Sequence, residues 1–421
     1  MKICRTRGRT TSIFSLLATL LASVPDGARA QDVRPLTAPQ HRDENGEQAT
    51  RSTSAVALTL IYTSDANSDV AGGSRRGAAY LQRLGGIVDA DLHRLVGWRG
   101  AALHASVQAI EGTGLSASRV DNLLTVSGIE AAPALRLFNL WVEQKLGATR
   151  SIRVGQFTAG QEFAIAPTAN FFVNATFGWP GSFATDLPGG GPAYPVAVPG
   201  ARFASTSSSG RATIRAALFA ANPPDPDRRG LAGWQFRGNP LAIAEFVCSA
   251  GGDDPAWTFI IGGWWNFART ADLWSPLRSS HNGNRAAYVI ADARLRSNLH
   301  GFARVTISPG DRNAVSRYID AGVTAKGLLA GRPNDVVGVA LAVARLSPAL
   351  RRPQPGGLGA AASGELAVEA SYQVAVGRNV ALQPNLQWIV HPISPNALTW
   401  PGAGIRRKNA LVLGLRSSMR L

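Results

Sequence analysis

The sequence predicts an all-β transmembrane protein: an antiparallel β-barrel of about sixteen strands, with a long third external loop folded into the pore. Three observations predict this fold. Apolar and polar residues alternate with a period of two through most of the chain after residue 55. Short and long connections alternate between these segments, and one connection is much longer than the rest. Together these patterns are typical of a wall with lipid outside and water inside.

The first 30 residues are predicted to be a signal peptide. A basic start is followed by an apolar run over residues 13–24 that is too short to span a bilayer, and Ala28-Arg29-Ala30 forms a small-x-small cleavage site. A retained anchor is the alternative interpretation. Residues 31–54 are polar and irregular and are predicted to be a flexible N-terminal extension, which leaves 55–421 as the barrel.

Composition narrows the class of protein. After the signal peptide no run of 18 or more apolar residues occurs, so no transmembrane helix is expected. Cys248 is then the single cysteine, which excludes an intramolecular disulfide and a multi-cysteine metal site. The net charge of +16 is compatible with nucleic-acid binding, attraction to anionic lipid, or a lumen that favours anions. A signal peptide argues against nucleic acid, whereas the other two interpretations stay open.

Sixteen strands are predicted, in chain order, over residues 55–63, 79–91, 101–110, 134–146, 150–158, 201–206, 211–220, 240–248, 256–267, 285–296, 299–308, 317–327, 335–346, 364–376, 379–390 and 409–421. Most are near the length that a tilted transmembrane strand needs. The connections between them are alternately short, as at 147–149 and 297–298, and long, as at 64–78, 111–133 and 268–284. Outer-membrane barrels combine short periplasmic turns with long external loops in this way.

The last strand shows the alternation best. Its apolar face carries Leu411, Leu413, Leu415, Met419 and Leu421, and its polar face carries Gly414, Arg416, Ser418 and Arg420. The same parity predicts that Phe138, Leu140 and Val142 face lipid, and strand-end tryptophans such as Trp264 and Trp265 are expected in an interfacial girdle.

The connection at 159–200, about 42 residues long, is too long for a simple turn. Its aromatic content argues against disorder. We therefore expect it to enter the barrel and narrow it. The residues predicted to form this constriction are Asn174, Trp179, Asp186 and Tyr194.

Inward-facing positions supply the candidate solute contacts. Because an arginine or lysine on the lipid face near the midplane costs about 2–4 kcal/mol, charged residues on the strands must face water. The predicted pore-lining residues are His104, Glu143, Arg153, Glu245, Asp292, Arg294, Arg304, Glu369, Asn385 and Gln387. Charges of both signs at short range are expected to pair, which leaves a lining of donors and acceptors suited to hydroxyl groups. The excess arginine is then expected in turns and loops, at Arg75, Arg76, Arg228, Arg229, Arg351, Arg352, Arg406 and Arg407.

Several longer motifs resemble the carbohydrate-selective porins of Gram-negative outer membranes, the OprB family. They include Phe177-Gly178-Trp179-Pro180-Gly181, Asp186-Leu187-Pro188, Pro309-Gly310-Asp311-Arg312-Asn313 and Gln383-Pro384-Asn385-Leu386-Gln387-Trp388. The resemblance covers nearly all of 55–421 and implies a sixteen-stranded barrel that admits small sugars and polyols by diffusion. It implies outer-membrane lipids and the barrel-assembly machinery as partners. The chain departs from the family in ending at Leu421 instead of phenylalanine and in its strongly basic charge.

Two alternatives to a sugar pore are considered. The arginines favour a porin for acidic solutes such as sugar acids. A non-transport barrel, structural or esterase-like, would need a serine near a histidine such as His104 or His300, but no Gly-x-Ser-x-Gly motif or metal-ligand spacing supports it. We expect no enzyme activity, cofactor, metal or nucleic-acid partner. The oligomeric state stays open, with a monomer favoured.

Overall fold

The computed structural model describes residues 54–220, 239–252, 254–351, 363–398 and 407–421. The predicted signal peptide and all but the last residue of the predicted extension lie outside these ranges. No helix in the described part of the chain is long and apolar enough to cross a membrane.

Sixteen antiparallel strands form one closed barrel. The strands are β1 Val56–Gly73, β2 Gly77–Asp91, β3 Ala101–Gly112, β4 Ala134–Leu146, β5 Arg150–Phe157, β6 Val198–Thr206, β7 Ala212–Ala220, β8 Pro240–Ser249, β9 Trp257–Ala271, β10 Ser280–Arg296, β11 Leu299–Ile307, β12 Val315–Lys326, β13 Val336–Leu346, β14 Gly364–Val376, β15 Val380–Val390 and β16 Lys408–Arg420. The predicted sixteen-stranded antiparallel barrel is confirmed, and each predicted strand overlaps one of these strands; a third loop folded into the pore stays a prediction.

Short helices lie in the connections and not in the wall. The α-helices are Leu92–Val96, Ala175–Gly178 and Gly181–Asp186; Ser116–Val120 is a π-turn, and 3₁₀ turns occur at Ala159–Gln161, Pro167–Phe171, Pro188–Gly190 and Pro395–Leu398. Each strand pairs with its neighbours in sequence, and β1 closes the barrel on β16. Leu60 and Leu421 exchange two backbone hydrogen bonds of 2.9 Å at this seam.

The two edges of the barrel differ in the length of their connections. The edge that holds the start of β1 and the end of β16 carries short turns such as 147–149 and 297–298, and the opposite edge carries 113–133 and 158–197. We refer to the second edge as external, because outer-membrane barrels place their long loops outside.

Two connections predicted to be long are shorter in the structure. Residues 64–78 are not a loop, because β1 continues to Gly73 and β2 begins at Gly77, which leaves only a three-residue turn at 74–76. The connection at 268–284 likewise shrinks to 272–279. Both hairpins extend with small and polar outward residues, such as Ser64, Ala66 and Ser68. A strand that continues beyond the lipid has no apolar face, so hydrophobic alternation does not mark its end.

The alternation predicts most side-chain directions correctly, with two exceptions. Phe138 is buried and packs inside the barrel at 6.0 Å from the Tyr194 ring, because a bulge between the pairs Ser106–Asn139 and Val107–Leu137 adds one residue to β4. Trp264 is also buried and packs 6.0 Å from Phe183, whereas Trp265 next to it faces outward. Phe138 does not face lipid, and Trp264 is no girdle residue.

Candidate functional site: the lumen and its two loops

Inward-facing carboxylates hold the backbone of the long segment 158–197, the third loop. Asp292 on β10 accepts hydrogen bonds of 2.8 Å from the amide and hydroxyl of Thr168. Glu369 on β14 accepts from the amides of Val173 (2.7 Å) and Asn174 (2.8 Å). Glu245 on β8 accepts from a further backbone amide of the loop at 3.2 Å. Three predicted pore-lining carboxylates therefore bind the loop.

Arg304 on β11 holds the same loop by its carbonyl groups. The guanidinium is fully buried and donates to the carbonyls of Ala164 (2.8 Å), Thr176 (2.9 Å) and Phe177 (3.1 Å). It also pairs with the buried carboxylate of Asp320 on β12, which accepts a bond of 3.0 Å from Nε. A buried arginine needs such a partner, because an unpaired buried charge is costly.

Aromatic packing fills the space beneath the third loop. Phe177 lies 5.0 Å from Phe172 and 6.3 Å from Phe302 of the wall. Phe183 lies 5.6 Å from Tyr288 of β10 and 5.2 Å from Trp179, whose indole donates to the carbonyl of Gly190 at 3.0 Å. This burial of apolar rings stabilises the loop against the wall.

A second loop, 113–133, also lies against inward-facing side chains, which the sequence analysis missed. Glu365 on β14 accepts from the amides of Leu123 (2.9 Å) and Leu124 (2.7 Å), and Gln387 on β15 donates to the carbonyl of Val126 at 2.9 Å. The two loops bond each other through Gly128–Val173 (2.8 Å) and Thr125–Ala175 (2.9 Å) backbone contacts. The sequence did contain a sign that this segment is buried, because it includes the apolar residues Leu115, Val120, Leu124 and Val126.

A row of polar and aromatic groups crosses β2 to β6. His104 Nδ1 lies 2.7 Å from Asp89, and its ring stacks on Trp141 at 4.8 Å. Arg153 lies over the Trp141 ring, 3.6 Å from the ring centroid, and pairs with Glu143 at 2.8 Å from its Nε. Glu143 and Arg153 are cross-strand partners.

Glu162 of the third loop joins this row, because it pairs with Arg153 and lies 3.2 Å from Arg202 on β6. Arg202 also donates to Glu143 at 2.9 Å. The two arginines and two glutamates form a network of mixed sign between wall and loop. Paired groups of this kind leave little net charge at the surface they line.

Part of the lumen wall contains buried polar atoms that no described protein group satisfies. Within the described residues, Oγ1 of Thr63, the side-chain amide of Asn67, Oε1 of Gln108 and Nε2 of His104 have no hydrogen-bond partner. Nδ2 of Asn385 on β15 also has no hydrogen-bond partner among the described residues. Buried polar atoms are ordinarily hydrogen-bonded, so this face has unused donor and acceptor capacity.

The remaining predicted constriction residues lie in the third loop. Asn174 accepts from the amide of Thr176 (3.0 Å) and donates to Gln387 (3.0 Å). Tyr194 donates to the carbonyl of Ile129 at 3.0 Å. Asp186 accepts from the amide of Val315 at 3.0 Å, and desolvation raises its pKa to about 8.

Arg294 stands apart from the other predicted pore-lining residues. It is exposed near the periplasmic end of β10, 3.7 Å from Asp254 in the turn between β8 and β9. Two of the predicted loop arginines contact loop residues: Arg407 pairs with Asp121 (2.9 Å from its Nε), and Arg75 donates to the carbonyl of Ser118 at 3.0 Å. Arg228, Arg229, Arg352 and Arg406 lie outside the described residues. Within the described chain no group of His, Cys, Asp and Glu residues is arranged to hold a metal ion.

A closed sixteen-stranded barrel with an apolar outer face and a polar lumen is an outer-membrane porin, and its place is the outer membrane of a Gram-negative bacterium. The model of the carbohydrate-selective porin, OprB family, matches residues 75–421, so the chain belongs to that family. No curated protein sequence matches the chain.

Solved structures show the same fold. The high-pH structure of Pseudomonas putida OprB matches with a TM-score of 0.77 at 20% identity, over 87% of this chain and 94% of that one. The low-pH structure of the same protein gives 0.52 at 15% identity, over 87% and 93%. The outer-membrane channel DcaP of Acinetobacter baumannii gives 0.52 at 11% identity, over 87% and 97%.

Proposed function

We propose that the chain forms a passive pore for small neutral sugars and polyols. The observation that carries this proposal is the match to the carbohydrate-selective porin family over residues 75–421, and the inward-facing, closely packed Thr63, Asn67, Gln108 and Asn385 add neutral donors and acceptors that no described protein group satisfies. A sugar hydroxyl donates and accepts at once, so amides and hydroxyls are suitable partners. The contacts are few and uncharged, which suits a solute that must leave as readily as it enters.

The third loop, together with the 113–133 loop, narrows this pore. The two loops bond each other and are attached to β8, β10, β11, β14 and β15 through Glu245, Asp292, Arg304, Glu369 and Gln387. The loops also contact β1 through Ser127 and Asp65 and β2 through Tyr194 and Arg83, and in this proposal the solute passes beside these contacts along β1 to β3. In this proposal the five anchoring residues shape the pore without touching solute.

A porin for acidic solutes is the second candidate, and two arginines near the C-terminal end of the third loop favour it. The Arg83 guanidinium lies 5.5 Å from the Tyr194 ring centroid, and Arg136 donates to the carbonyl of Pro195 at 2.7 Å. Two cations on this side would attract sugar acids. The paired network of Arg153, Arg202, Glu143 and Glu162 argues instead for a lumen of low net charge.

No covalent chemistry is part of this proposal. His104, the candidate for an esterase-like barrel, is engaged with Asp89 on one side and stacked on Trp141 on the other. This arrangement braces the wall and fixes the orientation of the ring, and a passive pore requires no more of it.

Swelling of proteoliposomes separates the candidates. We expect swelling in glycerol, glucose and mannitol at rates that fall with solute size, and no faster swelling in gluconate than in a neutral sugar of equal size. Ion currents should show weak selectivity and partial block by neutral sugars. Strong anion selectivity with block by sugar acids alone would establish the acidic-solute porin. A folded barrel that swells in none of these solutes would leave only a non-transport role.

A further inference from the structure

The outer wall of the barrel carries an apolar groove of about 680 Å³ across β5 to β10. Part of its floor is a row of residues without side chains beyond Cβ: Ala216, Ala244 and Gly263 are successive register partners, and Ala287 continues the row. They alternate with buried residues such as Ala217 and Ile243, so the row faces outward. At the usual spacing between strands, the row crosses about 14 Å of wall.

Larger side chains bound this row on both sides. Towards the periplasm the next outward residues on the same strands are Ile214, Phe246 and Ile261, all exposed. Towards the external edge they are Leu218, Ala242, Trp265 and Arg285. The result is a trough with a continuous periplasmic border and an external border that is interrupted at Ala242 and ends in a cation.

Arg285 has no ionic partner in the described part of the chain. Its guanidinium lies 5.3 Å from the centroid of the Trp265 ring, and no described carboxylate pairs with it. The inward-facing arginines differ, because Arg304 pairs with Asp320 and Arg416 with Asp65. An outward arginine beside an interfacial tryptophan is placed at the level of lipid headgroups, where its partner is an anion outside the protein.

We propose that this trough binds an acyl chain of a phosphorylated, multiply acylated glycolipid of the outer leaflet, with a lipid phosphate on Arg285. The cation lies at the external border, so the headgroup and the acyl chain are placed as they are in the outer leaflet. A second copy of this chain fits poorly. A symmetric contact would bring one hollow against another and one Arg285 against another.

Native mass spectrometry of delipidated protein, titrated with diphosphoryl lipid A, tests this site. We expect one tightly held lipid on the wild-type barrel. The substitution Arg285→Gln should weaken binding about tenfold by removing the phosphate contact, and Ala244→Leu should weaken it similarly by filling the trough. Arg150→Gln is the matched control and should bind as wild type does, because Arg150 has outward parity at the opposite, periplasmic end of β5.

Two further ligands and one measurement of size decide the ligand class. Dephosphorylated lipid A lacks the phosphate, so its affinity for the wild-type protein should not exceed the affinity of diphosphoryl lipid A for Arg285→Gln. Phosphatidylglycerol should bind the wild-type protein more weakly than diphosphoryl lipid A does. Equal affinity of wild type, Arg285→Gln and Ala244→Leu would overturn the site. Phosphatidylglycerol binding equal to that of lipid A would overturn the glycolipid assignment. If light scattering shows a dimer of the wild-type protein and a monomer of Ala244→Leu, the occupant of the trough is a second copy of this chain and not a lipid. Heat-modifiable migration of each variant shows that the barrel is folded.

Discussion

Two parts of the lumen wall carry similar polar side chains and use them differently. On β8 to β15, Glu245, Asp292, Arg304 and Glu369 are buried against the loops, and each bonds a loop backbone group. On β1 and β3, Thr63, Asn67 and Gln108 also face inward and are equally buried, but they carry atoms that no described protein group satisfies. Inward direction alone therefore does not make a residue a solute contact, because the loop above it decides the role.

Removing the third loop should have the largest effect, because it would expose the anchoring residues of β8 to β15 to the lumen. Deletion of residues 168–195 takes away the partners of Asp292 and Glu369 and opens β8 to β15 to water. We expect single-channel conductance to rise markedly and discrimination between solutes of different size to fall. Planar-bilayer recordings measure both. Unchanged conductance in a folded, heat-modifiable barrel would show that the loop does not constrict the pore.

Breaking one buried ion pair should have the next largest effect. Arg304→Met leaves Asp320 buried without its partner and frees three loop carbonyls. Loss of one member of a buried pair costs about 3–5 kcal/mol, so the free energy of unfolding in detergent should fall by that order. The double variant Arg304→Met with Asp320→Asn removes both charges and should recover part of the loss. Equal stability of wild type and Arg304→Met would contradict the anchoring role.

The two loops can be loosened one at a time. Glu369→Gln weakens two backbone contacts of the third loop, and Glu365→Gln weakens two of the 113–133 loop. Each bond to a charged acceptor contributes about 1.5–3 kcal/mol, so both variants should raise the opening rate of their own loop. Hydrogen exchange resolves the effect by segment. If both loops loosen equally in both variants, they move as one unit.

The strands were predictable from the sequence because lipid imposes an apolar residue at every second position, as at Ile152 and Val154 on either side of Arg153. The bulge at Phe138 was not, because one inserted residue leaves no mark on composition. The site was harder still. Parity placed Arg304 and Glu369 inward, but their contacts depend on loop backbone atoms more than 100 positions away in sequence. Loop conformation follows from packing that periodicity does not encode.

A change of pH should affect the third loop less than these substitutions do. Asp186 links the loop to Val315, and desolvation raises its pKa to about 8 from an ordinary 3.8. The docked loop therefore binds the proton more tightly than the free loop. Docking is fully stabilised below about pH 4 and loses this contribution as the pH rises through about 8. Conductance should increase reversibly as the pH rises from about 4 to about 8. Asp186→Asn, which cannot ionise, should remove that change, and its persistence in Asp186→Asn would assign it to another group.

Substitutions of the inward-facing residues that have unsatisfied polar atoms should have the smallest effect on stability. Two residues of β3 allow a direct comparison. Gln108 and Ser106 both face inward on β3, but Ser106 accepts from the amide of Asn139 at 3.1 Å while Oε1 of Gln108 has no described partner. Gln108→Leu breaks no protein bond, so unfolding should change little, whereas Ser106→Ala should cost about 1 kcal/mol. Sugar flux should show the reverse order: Gln108→Leu should slow swelling in glucose at nearly unchanged potassium chloride conductance, and Ser106→Ala should not. If glucose enters the Gln108→Leu protein as fast as wild type, the solute path does not pass this face of β3.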